Sequence, residues 1–90
     1  MSKRISRTSQ FKRDVRRLQK RGKDAQGLKF VLLMLIEDAP FPVRFRDHLL
    51  VGQYKGTREC HIELDWLLIY ESAEDEIVLI RTGSHADLFE

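Results

Sequence analysis

Residues 57–80 read TRECHIELDWLLIYESAEDEIVLI, and this stretch decides the fold. From Thr57 to Leu64 polar and apolar residues alternate, the pattern of a strand with one buried face. Cys60, Ile62 and Leu64 fall on one side; Glu59, His61 and Glu63 fall on the other. Trp66 to Tyr70 is apolar on both sides and reads as a central strand. Glu74-Asp75 makes a turn, and Ile77 to Ile80 returns as another central strand.

Upstream of this stretch the period lengthens to that of a helix. Lys3 to Thr8 alternates around Ile5 as a short first strand, and Thr8 or Ser9 caps the helix that follows. Phe11, Val15 and Leu18 form its inner stripe, with Lys12, Arg13, Arg16, Arg17 and Lys20 facing outward. Gly22 ends it. Asp24 caps a second helix with a wide apolar face made by Leu28, Val31, Leu32, Leu35 and Ile36. Pro40 and Pro42 stop that helix and open a loop through about Val51. Downstream, Ser84 caps a final short turn, with Asp87 at the capping-box position. The expected architecture is α+β: two N-terminal helices packed on one face of a twisted, mostly antiparallel four-stranded sheet, in one domain spanning residues 1–90.

Ninety residues leave room for one modest core. Cys60 is alone, which excludes an intramolecular disulfide and a cysteine-built zinc cage. On the apolar side of its strand, it reads as a small core residue rather than a nucleophile. No apolar run reaches transmembrane length, and the basic N-terminus lacks the apolar stretch and cleavage site of a signal peptide. A cytoplasmic protein with no membrane contact is expected.

The net charge of +2 conceals a strong asymmetry. Residues 1–30 carry eleven Lys/Arg against Asp14 and Asp24, a net +9, whereas residues 31–90 carry five against twelve acids, a net −7. Like charges crowd the first helix without matching acids at helical spacing. That favours a polyanion or an acidic protein partner, over the bland alternative of a solvated helix face.

All three histidines lie in the second half, each beside groups suited to proton transfer: Asp47-His48, His61 through Asp65, and Arg81 through His85 with Phe89 beyond. Histidine accepts and donates protons near neutrality. His61 and Asp65 share strand parity, so a strand continuing that far pairs them; such a pair on a half-exposed strand is more often structural than catalytic. Taken singly, His48 is an ordinary surface histidine and His85 a helix-terminus decoration. A zinc site built from the histidines and Asp65 is the rival reading, but no His-x-x-x-His or His-x-His spacing supports it, so neither metal nor cofactor is expected. Trp66 reads as core. Phe89 is less expected there and is suited to stacking on an unpaired base.

The ordered segments Asp47-His48, His61-x-Glu63-x-Asp65-Trp66-x-Leu68-Ile69-Tyr70 and Arg81-Thr82-Gly83-x-His85-x-x-Leu88-Phe89, with Tyr54-Lys55-Gly56-x-Arg58 between, resemble the YafQ branch of the RelE/ParE toxin superfamily. The resemblance covers most of the chain. It implies a RelE-like fold and a toxin of a bacterial type II toxin–antitoxin module that cuts mRNA in the ribosomal A site and is blocked by a cognate antitoxin in a hetero-oligomer. It places His48, His61, Asp65 and His85 at catalytic positions, Arg81 at the phosphate and Phe89 at the mRNA. Three positions depart from the family pattern. Leu49 and Leu64 stand where proline is common, and Glu59 stands where an aspartate that contacts substrate is usual.

Such an enzyme needs no outside nucleophile. A base takes the RNA 2′-hydroxyl proton, the oxygen attacks phosphorus, and an acid protonates the departing 5′-oxygen. On this reading His48 is the base and His85 the acid, His61 and Asp65 orient or relay, and Arg81 stabilises charge on the phosphoryl oxygens. Lys12, Arg13, Arg16, Arg17 and Lys20 are the expected ribosomal RNA contacts. The alternative is a ParE-like relative with another target, or an inactive binding module on the same scaffold.

Overall fold

A computed structural model describes residues 3–37, 48–50 and 52–89. Strand β1 (Arg4–Arg7) leads into helix α1 (Ser9–Lys20) and helix α2 (Gln26–Ile36). Strand β2 (His48–Leu49), a 3-10 turn (Gly52–Tyr54), β3 (Arg58–Glu63), β4 (Trp66–Ser72), β5 (Glu76–Gly83) and helix α3 (His85–Phe89) complete the fold. The sheet order is β1-β5-β4-β3-β2. The strands β3, β4 and β5 form an antiparallel meander, and β1 joins its β5 edge in parallel, Ile5 opposite Ile77. The four longer strands are those expected. The two-residue β2, too short to show a period, extends the other edge by pairing His48 with Glu59.

The connections follow from local chemistry. Thr8 stops β1 and starts α1: its hydroxyl accepts from the Phe11 N–H at 3.0 Å and donates to the Ile80 carbonyl at 2.8 Å. One residue thus caps the helix and fixes its start on β5. At the other end Gly22 adopts φ 82°, and the bonds Gly22 N–H to Gln19 O and Lys23 N–H to Leu18 O, both 3.0 Å, close a Schellman turn. Asp24 accepts from the Gln26 N–H at 2.9 Å where α2 begins.

One core lies between the helices and the sheet: Phe11, Leu18, Leu28, Val31 and Leu35 against Cys60, Trp66, Leu68, Tyr70, Ile77 and Leu79. The opposite face is covered under α3, where Leu67, Ile69 and Leu88 pack with Leu50, Tyr54 and Ile80. This double coverage is why β4 reads as apolar on both sides. Leu64 departs from expectation. The β3–β4 register shifts between His61 and Glu63, the strand ends there, and Leu64 stands 91% exposed in the turn. The Pro40–Pro42 break and Asp47 lie outside the described residues.

Candidate active site

Asp14 is the organising residue of this face, and the sequence offered a signal for it. It sits three residues after Phe11 and four before Leu18, on the buried stripe of a helix otherwise crowded with cations. Its carboxylate is 0% exposed and accepts five hydrogen bonds. Oδ2 takes Arg81 Nε at 2.9 Å and the Thr82 N–H at 3.1 Å; Oδ1 takes Arg81 Nη2 and Arg17 Nη2 at 3.0 Å and Gln10 Nε2 at 3.1 Å. Burial pushes the carboxyl pKa up, but the bonds from Arg81, Gln10 and Thr82 outweigh it and hold the group below its ordinary 3.8. In return the Asp14 carboxylate raises the pKa of Arg81, with a smaller contribution from Tyr54.

Two sequence expectations change here. Arg17, expected on the outward stripe, turns in to Asp14 at i,i+3 spacing, where it is one of the donors that a buried carboxylate needs for its lone pairs. The absence of matching acids on α1 is corrected with it. Lys12, Arg13, Arg16 and Lys20 are exposed as expected.

His85 begins α3. Its backbone N–H and ring Nδ1 both bond to Asp65 Oδ1, at 3.0 and 3.1 Å. Those two bonds, backbone first, hold the Asp65 pKa below 3.8. Asp65 therefore partners His85 rather than His61: β3 does not continue to Asp65, and the turn at Leu64-Asp65 swings the carboxylate toward α3. With Nδ1 directed to a carboxylate, Nε2 is the ring atom left for exchange with a substrate.

His61 pairs instead with Glu59, Nε2 to Oε1 at 2.9 Å. Residues two apart on a strand share a face, and the glutamate side chain is long enough to reach. Glu59, expected at the substrate, is only 5% exposed and directs its carboxylate to this imidazole. The two rings, His61 and His85, stand 5.9 Å apart at 61°. Phe89, 41% exposed, lies 5.9 Å from the His85 ring and makes an edge contact with Tyr54 at 5.6 Å. The Tyr54 hydroxyl donates to the Leu88 carbonyl at 3.2 Å, which ties the 3-10 turn to α3. The backbone of His48, expected in a loop, pairs opposite Glu59 at the β3 edge, beside the Glu59–His61 pair; its side chain lies outside the described structure.

His61 and Glu59 on β3, Asp65 in the β3–β4 turn and His85 and Phe89 on α3 thus stand together as proton-transfer groups beside a half-exposed aromatic, while Arg81 on β5 is held by Asp14. Among the described residues no group of three His, Cys, Asp or Glu is arranged to hold a metal ion. No helix among them is long and apolar enough to cross a membrane.

The depressed carboxylates set the acid limit of the fold. A group whose folded pKa lies below its unfolded value stabilises fully above the unfolded value and loses that contribution as pH falls through the folded one. Asp14, Asp65 and Asp87 all have this sign. Their contribution should therefore be constant from pH 7 to 5 and fall away below the ordinary 3.8. Urea midpoints at pH 7, 5 and 2.5 check this for the parent and for Asp14→Asn; a variant whose deficit is already shrinking between pH 7 and 5 would contradict it.

A helical pair on a mixed sheet closed by a short third helix is the fold of known bacterial toxins. Residues 3–90 match the family described as YafQ, bacterial toxins of type II toxin–antitoxin systems, and the chain belongs to that family. It is 42% identical over 86 residues to the mRNA interferase toxin YafQ of Escherichia coli K12, with 94% of each chain covered. It is similar to YafQ in a crystal structure of the E. coli DinJ–YafQ toxin–antitoxin complex, with TM-score 0.92, 40% identity and all of both chains covered. YafQ from E. coli BL21(DE3) gives TM-score 0.93 at 39% identity over 98% of this chain and 99% of that one.

Proposed function

We propose that this toxin is an endoribonuclease, an mRNA interferase that acts on mRNA in the ribosomal A site and is neutralised in the cytoplasm by a cognate antitoxin. The observation that carries the reading is the Asp65–His85 pair beside His61, with Arg81 fixed as a cation on the same strand-to-helix segment. The activity named for the 42%-identical relative, and the antitoxin bound to YafQ in the solved complex, support it.

In this mechanism His48, at the β3 edge, takes the 2′-hydroxyl proton. The 2′-oxygen bonds to phosphorus and the bond from phosphorus to the 5′-oxygen breaks. His85 Nε2 supplies the proton to that leaving oxygen. Arg81, with Nε and Nη2 held by Asp14, presents the rest of its guanidinium to the phosphoryl oxygens as their charge grows. Glu59 orients His61, and Phe89 offers its exposed ring to a base. The fragments should end in a 2′,3′-cyclic phosphate or a 3′-phosphate. Mass analysis of cut mRNA from programmed ribosomes reads this directly, and 3′-hydroxyl ends would refute the mechanism.

Lys12, Arg13, Arg16 and Lys20 supply the docking charge. Phosphate contacts of this kind are insensitive to sequence and weaken steeply with salt. Changing these four residues to glutamine should lower ribosome affinity and flatten its salt dependence, with the melting temperature and the choice of cleavage site unchanged. Altered site choice at normal affinity would show that the helix reads sequence instead.

A further inference from the structure

The cations of α1 divide into two populations. One set faces solvent, while Arg17 and the helix C-cap residue Arg21 turn toward Asp14 of α1 itself and Asp87 of α3. Arg21 grips Asp87 with both guanidinium ends, Nη1 to Oδ2 at 2.8 Å and Nη2 to Oδ1 at 3.1 Å. Arg17 Nη2 stands 3.9 Å from the same Oδ2. Asp87 in turn closes the capping box that starts α3: its Oδ2 accepts from the Ser84 N–H at 3.0 Å, and the Ser84 hydroxyl accepts from the Asp87 N–H at 3.1 Å.

Helix α3 is five residues long, too short to hold its own shape. It carries His85 and Phe89, and its start depends on that box. The carboxylate is 12% exposed and wedged against the backbone of Gly83, where a Cβ would meet the Asp87 Cβ at 2.9 Å. The Arg21 bonds, and after them the Ser84 bonds, hold the Asp87 pKa far below the usual carboxylate range, so the grip is between full charges.

We infer that Arg21 is a positioning residue for the reaction: through its two-pronged bond to Asp87, the end of the basic helix sets where α3 places the His85 ring and the Phe89 face. Arg21 acts on Asp87 and not on RNA, although it belongs by sequence to the basic pole. This inference rests on His85 being the acid, and the experiment separates the two.

Full-length Arg21→Ala, Arg21→Lys, Asp87→Asn and the Arg21→Ala/Asp87→Asn double variant are compared with the parent and with His85→Ala. Cleavage of ribosome-bound mRNA is measured at saturating ribosomes and at half-saturation, with ring-to-ring nuclear Overhauser contacts between His85 and Phe89 recorded in the free protein. Arg21→Ala should lower the saturated rate about 10- to 100-fold, the range that misplacing a catalytic group produces. Half-saturation should move less than about twofold, Arg21→Lys should recover part of the rate, and the double variant should be no slower than the slower single one. The His85–Phe89 contacts should weaken in Arg21→Ala while the melting curve stays cooperative. Loss appearing only in half-saturation would make Arg21 an RNA contact and overturn the inference, as would ring contacts unchanged from the parent. If His85→Ala cleaves like the parent, the reading of His85 as the acid fails, and the ring contacts still judge the latch.

Discussion

Replacing His85 with alanine should reduce mRNA cleavage about 10²–10⁴-fold, the usual contribution of a general acid or base. The fold should be indifferent to the change. The His85 side chain is 53% exposed and lies outside both apolar clusters, so its removal opens no cavity. Asp65 keeps the His85 backbone N–H, which anchors the turn without the ring. A melting temperature close to the parent, together with lost cleavage and lost growth arrest, is the expected pair of results. Undiminished cleavage at matched expression would remove His85 from the mechanism.

Replacing Asp14 with alanine should have the largest effect on stability. The substitution leaves the fully buried Thr82 N–H without its acceptor and takes the main counter-charge from the Arg81 and Arg17 guanidinium groups, whose side chains are 21% and 37% exposed. Deleting one partner of a fully buried ion pair costs about 3–5 kcal/mol, and because water reaches part of both guanidinium groups the lower end of that range applies. For a domain of this size each kcal/mol lowers the melting temperature by roughly 4–8 °C, so a drop beyond about 10 °C is expected. Asp14→Asn keeps the volume but turns one acceptor into a donor facing donors, and should fall short of the parent too. Calorimetry decides the matter: a loss below about 1 kcal/mol for the alanine variant would mean that the cluster is not what docks α1 on β5.

The sheet and the helical hairpin were legible because burial imposes a period. In the sequence Thr57 to Leu64 alternates, Trp66 to Tyr70 is apolar on both sides and α1 has a stripe every three to four residues, and the buried Glu59 and the exposed Leu64 break the first pattern. Pairing is not periodic, and so it was less legible. Nothing in Lys3 to Thr8 announces that β1 runs parallel to β5, since a strand's partner is chosen by the crossover and not by its own residues. Two residues of β2 carry no alternation at all. In the site, parity pairs His61 with Asp65, but with a register shift at His61–Glu63 the carboxylate partners are Glu59 for His61 and Asp65 for His85. Arg17 was misplaced for a related reason. The cations of α1 mark an outer face, whereas the one acid among them lies on the inner stripe and draws a cation with it.

The distance along the chain between Asp14 and Arg81 has a further consequence. The two meet only when both ends of the described fold are present and β1 has found β5, the pairing that brings residue 5 to residue 77. A fragment lacking the first helix would keep all three histidines but would hold an arginine with no carboxylate to aim it. A fragment ending before β5 would keep the cationic helix but lack both Arg81 and His85, the proposed acid. On the proposed mechanism, partial synthesis or a cut between α1 and β5 followed by separation should yield inactive pieces, so that toxicity needs the assembled fold.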